Sequence, residues 1–173
     1  RDMEIISYVL DGALEHRDSL GNGSILRAGD FQRMTAGTGV EHSEFSPSPT
    51  EPAHFYQIWI RPSENGLAPG YEERRQAEVA NATGLRLVAS PDGHDGSLTI
   101  HQDASIHLAS VTAGETLLHA IADGRHAWIQ ILRGEMRLGD MALRAGDGVA
   151  CSEEASVSLR GETDAEFMLF DLA

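Results

Sequence analysis

The sequence contains a single cysteine, Cys151, among its 173 residues. No disulfide can therefore form within the chain, and no Cys-x-x-Cys zinc site exists. It also lacks any run of about 18 apolar residues, the length that a helix needs to cross a bilayer. The first residues, RDMEIISYVL, do not have the basic-then-apolar order of a secretory signal. These absences predict a cytoplasmic protein with no transmembrane helix.

Positive charge is also scarce. Lys and Arg number 13 against 27 Asp and Glu, so the net charge is -14. Nucleic acids and anionic membrane surfaces both require concentrated basic residues for binding, and we expect neither as a partner. The acidity indicates solubility, and it is compatible with a basic protein partner.

The apolar residues occur in short runs separated by Gly, Asp and Asn. Such runs, with turn signals between them, are typical of an all-β sandwich or barrel. The one helical candidate is the charged segment Tyr71–Ala80, which could equally be a loop. The main segments with such apolar runs are IISYVLDG (5–12), SLGNGSILRAGD (19–30), HFYQIWIRP (54–62), HAWIQILRGEM (126–136) and AEFMLFDL (165–172).

The chain contains an internal repeat. The pentapeptide LRAGD occurs at 26–30 and again at 143–147, and each copy follows a predicted strand that ends in a glycine, Gly12 or Gly134. This repetition predicts two related β-domains. We expect the first at 1–65 and the second at 97–173. The segment 66–96 between them, rich in Gly and Pro, is interpreted as a linker.

The segment GTGVEHSEF at 37–45 carries the clearest chemical signal. It is predicted to be a strand, in which side chains two residues apart point to the same face, so His42 and Glu44 would converge. An imidazole and a carboxylate together can form half of a metal site. Without further context, a solvated polar face is the simpler interpretation.

The wider sequence resembles the pirin family of two-cupin proteins, which includes bacterial quercetin 2,3-dioxygenase-like members. The resemblance covers essentially the whole chain and is strongest in RDMEIISYVLDGALEHRDSLGNG (1–23), RAGDFQRMTAGTGVEHSE (27–44) and WIRPSENGLAPGYE (59–72). It implies two cupin (double-stranded β-helix) barrels. In that family, three His and one Glu hold a metal in the N-terminal barrel.

The resemblance assigns two of these ligands to His42 and Glu44. The other two belong to an HxH pair that would lie immediately before Arg1, so the first barrel is expected to be N-terminally truncated here. A site of imidazoles and one carboxylate suits Fe(II), with Mn, Ni, Co, Cu or Zn as substitutes. With only two ligands, metal affinity should be lost.

Strand alternation extends the predicted pocket along the first strand. Counting from the expected HxH pair places Glu4 and Tyr8 on its inward face. Glu4 is predicted to orient a ligand imidazole. His16 is interpreted as a structural residue or as one that orients a ligand, and Gln57 as a polar contact in the pocket.

The second barrel is predicted to be free of metal. Aligning Gly134 with Gly12 puts Ala120 and Ala122 where an HxH pair would lie, and GVACSEEASVSL, after the second LRAGD, contains no His. Cys151 is then expected to be a small buried side chain.

Two functions follow from the resemblance. The first is a metal-dependent dioxygenase that cleaves a flavonol such as quercetin, with Glu44 accepting the proton of the substrate hydroxyl. The second is a metal- or redox-responsive regulator that binds a protein partner. If the HxH pair is absent from the protein, the chain could instead be a metal-free scaffold.

Overall fold

The computed structural model describes residues 1–75 and 84–173. Over these ranges the chain forms seventeen β-strands and one short 3-10 turn, His94–Gly96, so the expected all-β fold is confirmed. The helical candidate was wrong over its first residues, because Gly70–Arg74 forms a strand; its residues 76–80 lie outside the described ranges. No helix in the described ranges has the length and hydrophobicity that crossing a membrane requires.

The strands belong to two compact units. The first unit comprises the described part of Arg1–Ala80 together with Pro91–Gln102, and the second comprises the described part of Asn81–Ser90 together with Asp103–Ala173. The segment 66–96 is therefore more than a linker, since it contributes a strand to each unit. Gly and Pro residues lie at or near the ends of these two short strands. Because such residues are typical of loops, the sequence of the segment indicated a linker.

In the first unit the strands are β1 (Glu4–Asp11), β2 (Ala13–Asp18), β3 (Gly23–Arg27), β4 (Phe31–Thr35), β5 (His42–Phe45), β6 (His54–Ile60), β7 (Gly70–Arg74) and β9 (Leu98–Thr99). In the second unit they are β8 (Gly84–Ser90), β10 (Ala104–Val111), β11 (Thr116–Ala120), β12 (His126–Arg133), β13 (Glu135–Leu138), β14 (Met141–Arg144), β15 (Gly148–Cys151), β16 (Ser156–Gly161) and β17 (Ala165–Leu172).

The first unit contains a four-stranded sheet in the order β6-β1-β4-β7 and a three-stranded sheet in the order β3-β2-β5. Strand β1, rich in β-branched and aromatic residues, lies between β6 and β4, and all of its residues except the last are buried. Val9, Leu14 and Leu26 form a buried apolar cluster, against which Phe55 packs. Apolar contact therefore joins strands of both sheets.

The second unit has a more extensive apolar core. One of its sheets contains β15-β12-β17-β10-β8 in that order, and the other runs β11-β16-β13-β14. Alternate residues of β12 and β17 point into the core, among them Ile129, Ile131, Phe167 and Leu169, all of them fully buried. Cys151 is buried in the same core, as expected from its sequence context.

The two LRAGD segments adopt the same backbone structure in the two units. Asp30 Oδ2 accepts a hydrogen bond of 2.8 Å from the amide of Arg27, and Asp147 Oδ2 accepts one of 2.9 Å from that of Arg144. The glycine of each segment, at φ 89° and 94°, donates its amide to a carbonyl of the preceding long strand, that of Val9 or of Ile131. The sequence repeat is therefore a structural repeat.

The glycines that precede these segments also correspond. Gly12 has φ 76° and Gly134 has φ 75°, in the left-handed region that favours glycine. A Cβ atom on Gly12 would lie 2.4 Å from the carbonyl oxygen of Pro52, and one on Gly134 would lie 2.2 Å from that of Asp164. Both positions thus require glycine for its backbone conformation and for the close approach of another backbone segment.

Candidate metal centre

The candidate site is built on the pairing of β2 with β5. These strands run antiparallel, with His16 opposite Glu44 and Asp18 opposite His42. Because the side chains of directly opposed residues, and of residues two apart, share one face, the four side chains lie together. The predicted convergence of His42 and Glu44 is present, and β2 adds His16 to it.

His16, His42 and Glu44 offer ligand atoms that all lie within 4.8 Å of one another. Among the described residues, this is the one cluster of three or more His, Cys, Asp or Glu side chains that meets this distance. His16 is buried, Glu44 is partly buried and His42 is exposed. The centroids of the two imidazole rings are 5.7 Å apart. The cluster therefore combines two nitrogen donors and one oxygen donor at the edge of the first unit's interior.

His16 is held by Asp18. Its Nε2 atom lies 3.4 Å from Asp18 Oδ2, which assigns the Nε2 proton to that contact. Asp18 is itself fixed, since it accepts hydrogen bonds from the amides of Leu20 and Asn22 and from the Asn22 side chain, all between 2.7 and 2.9 Å. A carboxylate that orients an imidazole through its second nitrogen is the usual arrangement around a metal-binding histidine.

The other ring nitrogen of His16, Nδ1, faces Glu44 at 3.9 Å from Oε1, too far for a hydrogen bond. It is buried and has no hydrogen-bond partner among the described residues. A buried polar atom without a partner is costly, and a cation between Nδ1 and the carboxylate would satisfy both groups. The donor set and this atom fit a transition-metal ion.

The charges around His16 favour its protonated form when no cation is bound. Burial alone lowers the pKa of His16, but the carboxylates of Glu44 and Asp18 outweigh burial and leave the pKa raised. Burial likewise tends to raise the pKa of Glu44, yet its contacts with His16, His42 and Gln32 leave that pKa lowered. These shifts favour an ionised Glu44, and any proton on His16 Nδ1 has to leave before that atom can bind a metal.

Both oxygens of Glu44 accept hydrogen bonds from side-chain amides. Gln32 Nε2 donates to Oε1 at 2.5 Å, and Gln57 Nε2 donates to Oε2 at 2.7 Å. The hydroxyl of Ser7 lies between the two glutamines and donates to Oε1 at 3.4 Å. These contacts place Gln57 beside Glu44, in the region where the sequence suggested a polar pocket residue.

Tyr71 covers the buried side of the cluster. Its ring stacks on the imidazole of His16, with 4.8 Å between centroids. Its hydroxyl lies 2.7 Å from Glu73 Oε1 and 3.1 Å from Gln32 Oε1. Burial and then the neighbouring Glu73 raise the pKa of Tyr71, so that its hydroxyl keeps its proton and acts as a donor.

Glu4 and Tyr8 lie on the opposite face of β1 from the cluster, and the prediction that they line this pocket was wrong. Ser7 contacts Glu44, and residues an odd number apart on a strand point to opposite faces. Glu4 accepts a hydrogen bond from Thr35 at 3.1 Å and lies 3.3 Å from His101 Nδ1. Tyr8 stacks on Phe31 at 4.3 Å. The alternation was counted through Asp2, whose φ of 65° interrupts the extended backbone before β1 begins at Glu4, so the counted parity does not extend into β1.

Sequence reasoning missed the residues that surround Glu44 and His16. Ser7 and Tyr71 are ordinary strand residues, and Gln32 carries no motif. Asp18 had a usable signal, because DSLGN at 18–22 is a turn that an aspartate side chain commonly stabilises. Since Asp18 lies two residues after His16, that turn also predicts a carboxylate on the imidazole's face.

Comparison with known families agrees with this architecture. Residues 1–60 match the model of the family described as Pirin. Residues 87–172 match the model described as Quercetinase C-terminal cupin domain. The two matches fall on the two halves of the chain that contain the structural repeat.

Several proteins are similar to the chain over nearly its whole length. Quercetin 2,3-dioxygenase of Escherichia coli K12 is 46% identical over 172 residues, which cover 99% of this chain and 73% of that protein. A crystal structure of the bacterial pirin YhhW from Escherichia coli in complex with nickel(II) is 45% identical, with a TM-score of 0.93 over 99% of this chain and 73% of the other. The structure of YhaK from Escherichia coli is 28% identical, with a TM-score of 0.86 over 99% and 76%.

Proposed function

This chain belongs to the pirin family of two-cupin proteins, and we propose that it is a metal-dependent dioxygenase that acts on a flavonol such as quercetin. The observation that carries the proposal is the convergence of ligand atoms of His16, His42 and Glu44 within 4.8 Å. The buried Nδ1 of His16 lies 3.9 Å from Glu44 Oε1. Relatives named quercetin 2,3-dioxygenase, 46% identical in one case, supply the substrate class.

We propose His42 and Glu44 as metal ligands, with His16 Nδ1 as a third donor. Nitrogen and carboxylate oxygen donors suit several first-row metals, and we expect Fe(II), with Mn, Ni, Co, Cu or Zn as substitutes. Nickel is present in the crystal structure of a relative. A bound metal would supply Lewis-acid chemistry to an oxygen of the substrate and a site for O₂.

The chain's own groups would prepare the substrate for this reaction. Glu44 is ionised, because hydrogen bonds and the neighbouring imidazoles lower its pKa. It can accept the proton of a flavonol hydroxyl that comes within hydrogen-bond reach of its carboxylate. Asp18 keeps the His16 ring in one orientation, and Tyr71 excludes water from the face on which it stacks.

Aerobic turnover of quercetin, followed as loss of flavonol absorbance, tests this function. Protein loaded with Ni(II) or Fe(II) should consume quercetin, and Glu44→Gln, which keeps the side-chain shape but removes the charge, should lose most of this activity. Glu41→Gln is the matched control, since Glu41 is an exposed carboxylate on the same segment. Absence of turnover in metal-loaded protein would overturn the enzymatic proposal and favour a metal-responsive regulator that binds a protein partner.

A further inference from the structure

We infer that Gln57 and Gln32 are positioning residues that together hold the Glu44 carboxylate in one orientation. We call this pair the glutamine clamp. Its role in a reaction rests on the proposed function, whereas its hydrogen bonds are a property of the metal-free chain. Neither glutamine is a ligand type expected for the metal, so their effect would pass through Glu44.

The clamp is built by strand register. Across the sheet β6-β1-β4, Gln57 is paired with Ser7, and Ser7 is paired with Gln32. Paired residues of neighbouring strands share a face, so the three polar side chains form a row beneath Glu44. Gln32 Nε2 also donates to Ser7 Oγ at 3.3 Å. The row therefore presents hydrogen-bond donors from three adjacent strands to one carboxylate.

The direction of the Gln57 amide is determined by Trp59. An indole N–H can only donate, and Trp59 Nε1 lies 2.9 Å from Gln57 Oε1. The carbonyl oxygen of Gln57 must therefore face Trp59, which turns its NH₂ group toward Glu44 Oε2, 2.7 Å away. On the other side, Gln32 Nε2 donates to Glu44 Oε1 at 2.5 Å and to Ser7 Oγ at 3.3 Å, so the NH₂ group of Gln32 faces the carboxylate as well.

This arrangement restricts the Glu44 carboxylate to one orientation. A carboxylate accepts both amide donors, whereas turning either amide over would bring a carbonyl oxygen against it. The Glu44 side chain is only 11% exposed, which leaves it little freedom to move away. Residues that fix the orientation of a ligand or catalytic group typically change metal affinity or activity by about 10- to 100-fold.

Gln57 provides the cleaner test of the clamp, because it is exposed while Gln32 is 2% exposed in the core. Gln57→Leu removes the donor, and Gln57→Glu preserves the shape while placing an acceptor against Glu44. Trp59→Phe removes the N–H that orients Gln57 and keeps an aromatic ring; the ring area lost with it matters little for packing, since Trp59 is 61% exposed. Gln130→Leu is the matched control, since Gln130 is a strand glutamine whose amide bonds backbone carbonyls in the second unit.

The first measurement uses metal-free protein. In ¹⁵N NMR spectra, the side-chain NH₂ signals of Gln57 and Gln32 should show the downfield shift of a donor to a carboxylate. Glu44→Leu should remove that shift from both. Unshifted signals in the wild-type protein, or signals that do not respond to Glu44→Leu, would overturn the clamp whether or not the protein turns over quercetin.

The second measurement is Ni(II) affinity by isothermal titration calorimetry. Gln57→Leu should weaken binding by about 10- to 100-fold. Gln57→Glu, which keeps the shape of the side chain, should also change the Ni(II) affinity. If residue 57 only filled space, this variant would bind Ni(II) as the wild type does. Trp59→Phe should weaken Ni(II) binding when it is introduced into the wild-type protein. It should cause no further loss of affinity when it is introduced into Gln57→Leu. Equal affinity in wild type, Gln57→Leu and Gln57→Glu would overturn the positioning role. If the metal-loaded wild-type protein does not consume quercetin, but the Ni(II) affinities of the variants change as expected, only the dioxygenase proposal is overturned.

Discussion

His16 lies directly opposite Glu44 in the ladder between β2 and β5, with 3.9 Å between the His16 Nδ1 and Glu44 Oε1 atoms. The pairing brings the buried imidazole of His16 next to the side chains of His42 and Glu44. Because Asp18 holds the other ring nitrogen, the free nitrogen of His16 is directed at the carboxylate. The geometry makes His16 an integral part of the candidate metal centre, a more specific position than its sequence context indicated.

Replacing His16 with Phe should lower the Ni(II) affinity of the protein by at least about 10-fold, the effect expected for a ligand or for a group that orients one. A phenyl ring retains the stacking on Tyr71 while removing both nitrogens. Isothermal titration calorimetry measures the change. His126→Phe, in the second unit, is the control and should bind as the wild type does. Unchanged affinity in His16→Phe would exclude His16 from the site.

Metal binding should stabilise the folded protein against heat. At a free Ni(II) concentration 100 times the dissociation constant, binding adds about 2.7 kcal/mol to the free energy of unfolding. This corresponds to a rise in Tm of roughly 5–10 °C for a domain of this size. Differential scanning calorimetry should show the rise, and EDTA should reverse it. His42→Ala should show little or none; an equal rise in that variant would mean that nickel binds elsewhere.

Gly134→Ala should destabilise the second unit more than Gly124→Ala does. Both glycines have similar positive φ values, 75° and 77°. That conformation costs an alanine about 1–2 kcal/mol at either position. A Cβ on Gly134 would also lie 2.2 Å from the carbonyl oxygen of Asp164, whereas one on Gly124 has nothing within 4 Å. We expect overpacking to add about 1–3 kcal/mol at Gly134.

Urea denaturation of the two variants, monitored by tryptophan fluorescence, provides the comparison. Because both variants bear the cost of positive φ, the difference between their unfolding free energies measures the effect of the close backbone contact at Gly134. Equal unfolding free energies for Gly134→Ala and Gly124→Ala would show that the turn relaxes to accept a methyl group.

Cys151 should react slowly with alkylating reagents in the native protein. Burial, followed by the charge of Glu154, raises the pKa of the Cys151 thiol. A raised pKa means that less thiolate is present at any given pH, and the thiolate is the reacting species. Iodoacetamide labelling at pH 8, quantified by mass spectrometry, should be slow in buffer and fast in denaturant. Rapid labelling of folded protein would contradict the buried position of this thiol.

Much of the architecture was accessible from the sequence because it depends on local patterns. Short apolar runs with turn residues between them predicted an all-β chain, and the LRAGD repeat predicted two related units. The side chains of His42 and Glu44 share a face because alternation is a property of any single strand. Gly12 and Gly134 were matched through the repeat, and their nearly equal φ values agree with that alignment.

The orientation of β1 was not accessible in this way. Whether its odd or even residues face the metal centre depends on which sheet face packs against β2 and β5. A displacement of one residue reverses the result. Glu4 and Tyr8 were therefore assigned to the wrong face, while Ser7, which touches Glu44, carried no signal.

The sequence by itself determined that the chain is built of strands, that it contains a repeat, and that His42 and Glu44 share a face. Each of these features depends on residues close together along the chain. Only the tertiary structure decided that His16 completes the cluster and that Gln32 and Gln57 hold Glu44. These contacts join residues 12 to 28 positions apart through strand register. Register results from the packing of two sheets around a shared apolar interior, which no short segment of sequence contains.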